Sequence, residues 1–103
     1  MAIGYVCRHG QTEWNVSSIT QGWKNSSLTD IGIENARNLS IKLSGLDIRK
    51  IISSDIGRAV ETANIINSRL MKDISLSPEI REMTYGEYDG KPDEILIREN
   101  KDF

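Results

Sequence analysis

The chain holds a single histidine, His9, inside the stretch CRHGQTEWN at residues 7–15, with Arg8 before it and Gly10 after it. Imidazole is the one side chain that changes charge near neutral pH, so a lone copy is a candidate base, acid or nucleophile. Two further motifs carry groups that could work with it. Arg58 stands in SSDIGRA, near the start of an expected helix, and Glu82 stands in REMTYGEYDG, at the entrance to a glycine-rich loop. Guanidinium forks match phosphate oxygens in a bidentate way and stay charged at any physiological pH. A helix N-terminus adds backbone N–H donors. Two guanidiniums, an imidazole and a carboxylate at one edge therefore point to a phosphate ligand.

Singly, each residue has a commoner structural explanation. A histidine after a strand is more often a hydrogen-bonded structural residue, Arg58 a salt-bridge partner and Glu82 a surface carboxylate. Trp14 and Trp23 read as loop anchors. Cys7, inside an apolar run, reads as core packing. With no second histidine and no cysteine pair, neither a zinc site nor any other metal or cofactor is expected.

The elements that must position these groups alternate. Residues 2–7, AIGYVC, form a continuous apolar run that predicts a strand buried on both faces. Residues 8–28 are polar and aperiodic and predict a long loop with room for one turn of helix. A helix is expected from about Thr29 to Ser44, capped by Thr29 or Asp30 and ended by Gly45, with Ile33, Ala36, Leu39 or Ser40, and Leu43 facing inward. A second strand is expected at about Lys50 to Ser53. A second helix follows at about Gly57 to Met71, with Asp55 ahead of it as a cap. ISLSPEIRE predicts a third extended segment broken by Pro78, and Pro92 opens a last short helix through Arg98. This order implies an α/β fold with parallel strands joined by crossovers, whose ligands bind beyond the carboxyl ends of the strands.

Composition narrows the function classes. A chain of 103 residues and 11.6 kDa is one small domain at most, and 38% hydrophobic with 27% charged residues is an ordinary globular balance. A net charge of −2 and a pI near 5.4 argue against a nucleic-acid or anionic-membrane surface. The apolar run at the N-terminus is too short for a membrane span or a signal core, and one cysteine fits a reducing cytoplasm as the expected location.

In order and spacing, RHGQTEWN, QGWKNSSLTDIG, SSDIGRAVETA and REMTYGEYDG resemble the histidine phosphatase superfamily, the phosphoglycerate mutase-like group. The resemblance runs from Ile3 to about Gly90. It implies a three-layer α/β/α fold with a mostly parallel sheet, of which residues 1–103 are the N-terminal part. It implies a small phosphomonoester as substrate and His9 as a nucleophile carrying the phosphoryl group. Arg8, Asn15 and Arg58 are the implied phosphate-binding residues, and Glu82 the implied general acid. Gly10, Thr12, Gln21, Gly22 and Tyr85 are the implied substrate-contacting residues.

Two features depart from the family pattern. The family's second catalytic histidine, in its C-terminal half, has no counterpart here, so the chain reads as truncated, with an exposed sheet edge and self-association expected. Where cofactor-dependent mutases read ERHYG followed by G-x-N-K, this chain has Met83 and Thr84, then Lys91-Pro92-Asp93. That favours hydrolysis over the mutase alternative, in which 2,3-bisphosphoglycerate primes the histidine. A catalytically impaired phosphate-binding remnant is the third reading.

Overall fold

A computed structural model of the chain describes residues 4–99. Between the ends of the long N-terminal loop lies one turn of helix, α1 (Glu13–Val16). Thr12 caps it in a reciprocal box: Thr12 Oγ1 accepts from the Asn15 amide, and the Asn15 side chain accepts from the Thr12 amide. The first long helix, α2 (Asp30–Ser44), starts at Thr29, whose hydroxyl accepts from the Gly32 amide, and ends at Gly45 as the sequence predicts. Strand β1 (Lys50–Ser54), helix α3 (Gly57–Leu70) and strand β2 (Asp73–Ser77) follow as one βαβ unit. β1 and β2 pair in parallel, with Lys50 opposite Asp73 and Ser54 opposite Ser77. Single 3₁₀ turns at Pro78–Ile80 and Gly86–Tyr88 lead to a final helix, α4 (Asp93–Glu99).

Helix α3 packs against both α2 and β1. The helix interface is built from small residues, Ala36 and Ser40 on α2 and Ala63 on α3, with Ile66 beside them. Small side chains let two backbones approach closely at little entropic cost. The loop is fastened to this core through α2. Thr12 bridges Leu28, and the Thr29 amide and hydroxyl both bond to Gln11. Gly32 faces Gln11 so closely that a Cβ there would collide with the Gln11 carbonyl.

Two sequence expectations fail. Residues 4–7 are not a strand: they have no ladder partner among the described residues, Val6 is 99% exposed, and Cys7 is exposed rather than packed in the core. Ala2 and Ile3 of the expected strand lie outside the described residues. An apolar run signals a wish for cover, but a strand is made by its neighbour, and the sheet among the described residues has two strands only. The second failure is Asp55, which does not cap α3. Its carboxylate takes both forks of Arg81 instead, at 2.5 and 2.6 Å. A charged bidentate pair outcompetes one backbone N–H. Asn25, from the loop, supplies the cap, accepting from the Arg58 amide at 2.7 Å.

Candidate active site

Residues distant in sequence meet where the N-terminal loop crosses the start of α3. His9 is half-buried there. Its Nδ1–H donates to the Gly10 carbonyl at 2.6 Å, and its Nε2 accepts from Arg58 Nε at 3.3 Å. The partners fix the tautomer. A carbonyl can only accept and a guanidinium can only donate, so the proton sits on Nδ1 and the lone pair on Nε2. Burial lowers the imidazole below its ordinary pKa, and the Arg58 and Arg8 charges add to this. The Gly10 bond and the Glu82 carboxylate act the other way. At neutral pH the ring is uncharged, with its free lone pair aimed at a cation.

Arg58 is 3% exposed and does more than face His9. Its two terminal nitrogens donate to the Lys24 and Gly22 carbonyls at 2.6 and 2.7 Å. The guanidinium therefore ties the loop to α3 while its Nε touches the imidazole. One turn on, Thr62 accepts from the Gly10 amide at 3.0 Å and donates to the Arg58 carbonyl. A Cβ on Gly10 would come within 2.5 Å of the Gly32 carbonyl, so only glycine lets the chain pass here. Helix α3 thus holds both neighbours of the His9 ring.

Glu82 lies on the irregular segment after β2. It is exposed, and its charge bears on His9, Arg58 and Tyr85. Tyr85 is raised above its ordinary range, first by burial and then by Glu82, Asp89 and Asp93. Arg8 is exposed and close enough to act on the His9 charge.

The other predicted residues sit differently. Thr12 is fully buried and donates to Gln21 Oε1, which also accepts from Ser26. The Asn15 oxygen is engaged by the Thr12 amide, while the residue itself is exposed. Gly22 has φ +53° and lies against the Asp89 carboxylate, where a Cβ would collide. So the structure gathers His9, Gly10 and Arg58 in direct contact, with Glu82 and Arg8 within electrostatic reach. It sets Thr12 and Gln21 inside the loop that supports them. Among the described residues, no group of three His, Cys, Asp or Glu side chains could hold a metal, and no helix is long and apolar enough to cross a membrane.

Sequence reasoning missed four supporting residues: Asn25, Thr62, Arg81 and Asp89. Thr62 was legible, since it lies four residues after Arg58 and so on the same helix face. Asp89 is buried; the Trp23 and Tyr85 amides and the Thr84 hydroxyl donate to it. Burial alone would raise that carboxyl, but these bonds and Lys24 hold it below its ordinary value.

The family model of the histidine phosphatase superfamily (branch 1) matches residues 5–103. The chain belongs to that superfamily. Among curated relatives, a Proteus mirabilis protein named "Probable phosphoglycerate mutase GpmB" is 40% identical over 82 residues. That alignment takes in 80% of this chain and 38% of the relative. Among solved structures, Bacillus stearothermophilus YhfR superposes with a TM-score of 0.85 at 34% identity, covering 91% of this chain and 46% of that one. A mycobacterial glucosyl-3-phosphoglycerate phosphatase gives a TM-score of 0.82 at 28% identity, over 88% of this chain and 45% of that one. The fold is phosphoglycerate mutase-like, and the chain spans less than half the length of these relatives.

Proposed function

We propose that this chain carries the nucleophilic half of a metal-independent phosphomonoester hydrolase acting on a small phosphorylated metabolite. The observation that carries the reading is the His9 ring, neutral, with Nδ1–H anchored on Gly10 and the Nε2 lone pair facing Arg58. A phosphoryl group bound between His9 and the arginines replaces the Arg58 contact at Nε2. The Nε2–P bond forms as the ester P–O bond breaks, and the leaving oxygen takes a proton from Glu82. Arg58, Arg8 and the Asn15 side chain stabilise the charge on the equatorial oxygens, Asn15 through its amide N–H donors. Water then attacks phosphorus, Glu82 takes its proton, the N–P bond breaks, and phosphate leaves. Gly10 and Gly22 are buried and serve by letting the loop pass close to Gly32 and Asp89, and Tyr85 contacts the rest of the substrate. Thr12 and Gln21 act from behind, by holding the loop.

A mutase reading draws support from the printed name of the curated relative. It differs only in the acceptor, the phosphoryl group passing from His9 to a second hydroxyl of a phosphoglycerate. Met83 and Thr84 favour water as the acceptor. The test is incubation with p-nitrophenyl phosphate and with 3-phosphoglycerate, followed by product analysis and by mass spectrometry of the quenched protein. The expected result is free phosphate, a phosphoryl group on His9, and loss of both in His9→Ala. Equal turnover by wild type and His9→Ala overturns the reading, and isomerised phosphoglycerate that depends on added bisphosphate selects the mutase.

A further inference from the structure

Glu82 is exposed and sits on a segment with no helix or strand to hold it, yet a proton donor must be placed to within fractions of an ångström. The residues around it are not loose. Trp23 Nε1 donates to the Glu82 carbonyl at 2.7 Å, and the Arg81 guanidinium lies over the Trp23 ring, 5.0 Å from its centroid. The same guanidinium is gripped by Asp55, at the end of β1. On the other side of Glu82, the Thr84 hydroxyl and the Tyr85 and Trp23 amides all donate to Asp89. Trp23 itself stands between Gly22 and Lys24, whose carbonyls hold Arg58 against His9.

We infer that Trp23, with Arg81 and Asp55, is a positioning device that fixes Glu82 relative to His9. The inference rests on the reading of Glu82 as the proton donor. Residues 22–24 act as one spacer: two carbonyls set Arg58 and through it the imidazole, while the indole between them sets the acid. Neither Trp23 nor Arg81 touches the reacting atoms. Their effect must then fall on the step Glu82 serves, protonation of the departing oxygen, and must scale with how badly that oxygen needs a proton. An alkoxide needs one; p-nitrophenolate leaves readily without it.

The experiment uses the full chain in four forms: wild type, Glu82→Gln, Trp23→Phe and Arg81→Gln. Phenylalanine keeps a six-membered aromatic face and removes the pyrrole ring with its N–H. Two readouts are taken. The first is the proton NMR titration of His9, a clean reporter because it is the sole histidine. The charges facing the ring are Arg58, Arg8 and Glu82; of these three, Glu82 alone raises its midpoint, alongside the Gly10 hydrogen bond. Glu82→Gln is expected to lower that midpoint, and Trp23→Phe and Arg81→Gln to lower it part of the way. The second readout is kcat for an alkyl phosphate against p-nitrophenyl phosphate. The expected loss on the alkyl ester is about three- to tenfold for Trp23→Phe, the scale of one hydrogen bond, with a smaller loss on the aryl ester. A wild-type His9 midpoint in both Trp23→Phe and Arg81→Gln overturns the inference, as does an unmoved midpoint in Glu82→Gln. Equal losses on the two esters overturn it as well. Retained hydrolysis in His9→Ala instead defeats the functional reading, while the titrations still judge the positioning.

Discussion

The loop side and the sheet side of this molecule are built on opposite terms. Around His9 the interior is polar. Thr12, Thr20, Gln21, Arg58, Thr62 and Asp89 are all buried, and among the described residues no buried side-chain nitrogen or oxygen lacks a hydrogen-bond partner. Around β1 and β2 the situation reverses: Ile52 is 61% exposed and Leu76 53%, apolar groups left in water. A fully satisfied polar network is rigid and specific, because each group would be costly to leave unpaired. An exposed apolar sheet stabilises nothing by itself and offers a surface to another chain. The lesson is that the geometry around His9 is set by hydrogen bonds from the loop to α3, and the sheet reaches the site only through Asp55 and its grip on Arg81.

That contrast can be broken from either side. The largest effect is expected at Gly10. Gly10→Ala drives a Cβ against the Gly32 backbone, which cannot rotate away, and is expected to cost about 3 kcal/mol or more of stability by denaturant unfolding. A variant as stable as wild type would mean that the loop does not pass α2 so closely. The smallest effect is expected at Ile52, on the sheet. Ile52→Thr keeps β propensity and is expected to change stability by no more than about 0.5 kcal/mol in the same unfolding measurement. A large stability loss there would show that Ile52 is covered after all, and the distinction between the two sides would fall.

How far the sequence reveals all this follows the same division. Helices α2 and α3 were legible to within a residue, because the Thr29 cap, Gly45 and the spacing of Ala36, Ala63 and Ile66 are local signals. His9, Arg58 and Glu82 stood out through their motifs, RHGQTEWN, SSDIGRA and REMTYGEYDG, rather than through the elements around them; His9 and Arg58 meet in the structure, and the Glu82 charge bears on both. The strand expected before His9 was not, since Tyr5 and Val6 carry an apolar signal that says nothing about whether a partner edge exists. Nor could local pattern show that Asn25 caps α3, that Asp55 turns to Arg81, or that Trp23 reaches Glu82. Those are choices between competing donors and acceptors from 26 to 59 residues apart, decided only once the chain is folded.

The most direct test of the central claim is a ¹⁵N and proton NMR titration of His9 in the ligand-free chain. The expected result is a neutral ring with the proton on Nδ1 and a midpoint below the ordinary histidine value of 6.5. Because the folded pKa is depressed, the unfolded chain binds the proton more readily. The stability from the neutral ring is therefore fully present above 6.5 and is lost as pH falls through the folded midpoint. A ring protonated on Nε2, or a midpoint above 6.5, would contradict a His9 held ready to attack phosphorus.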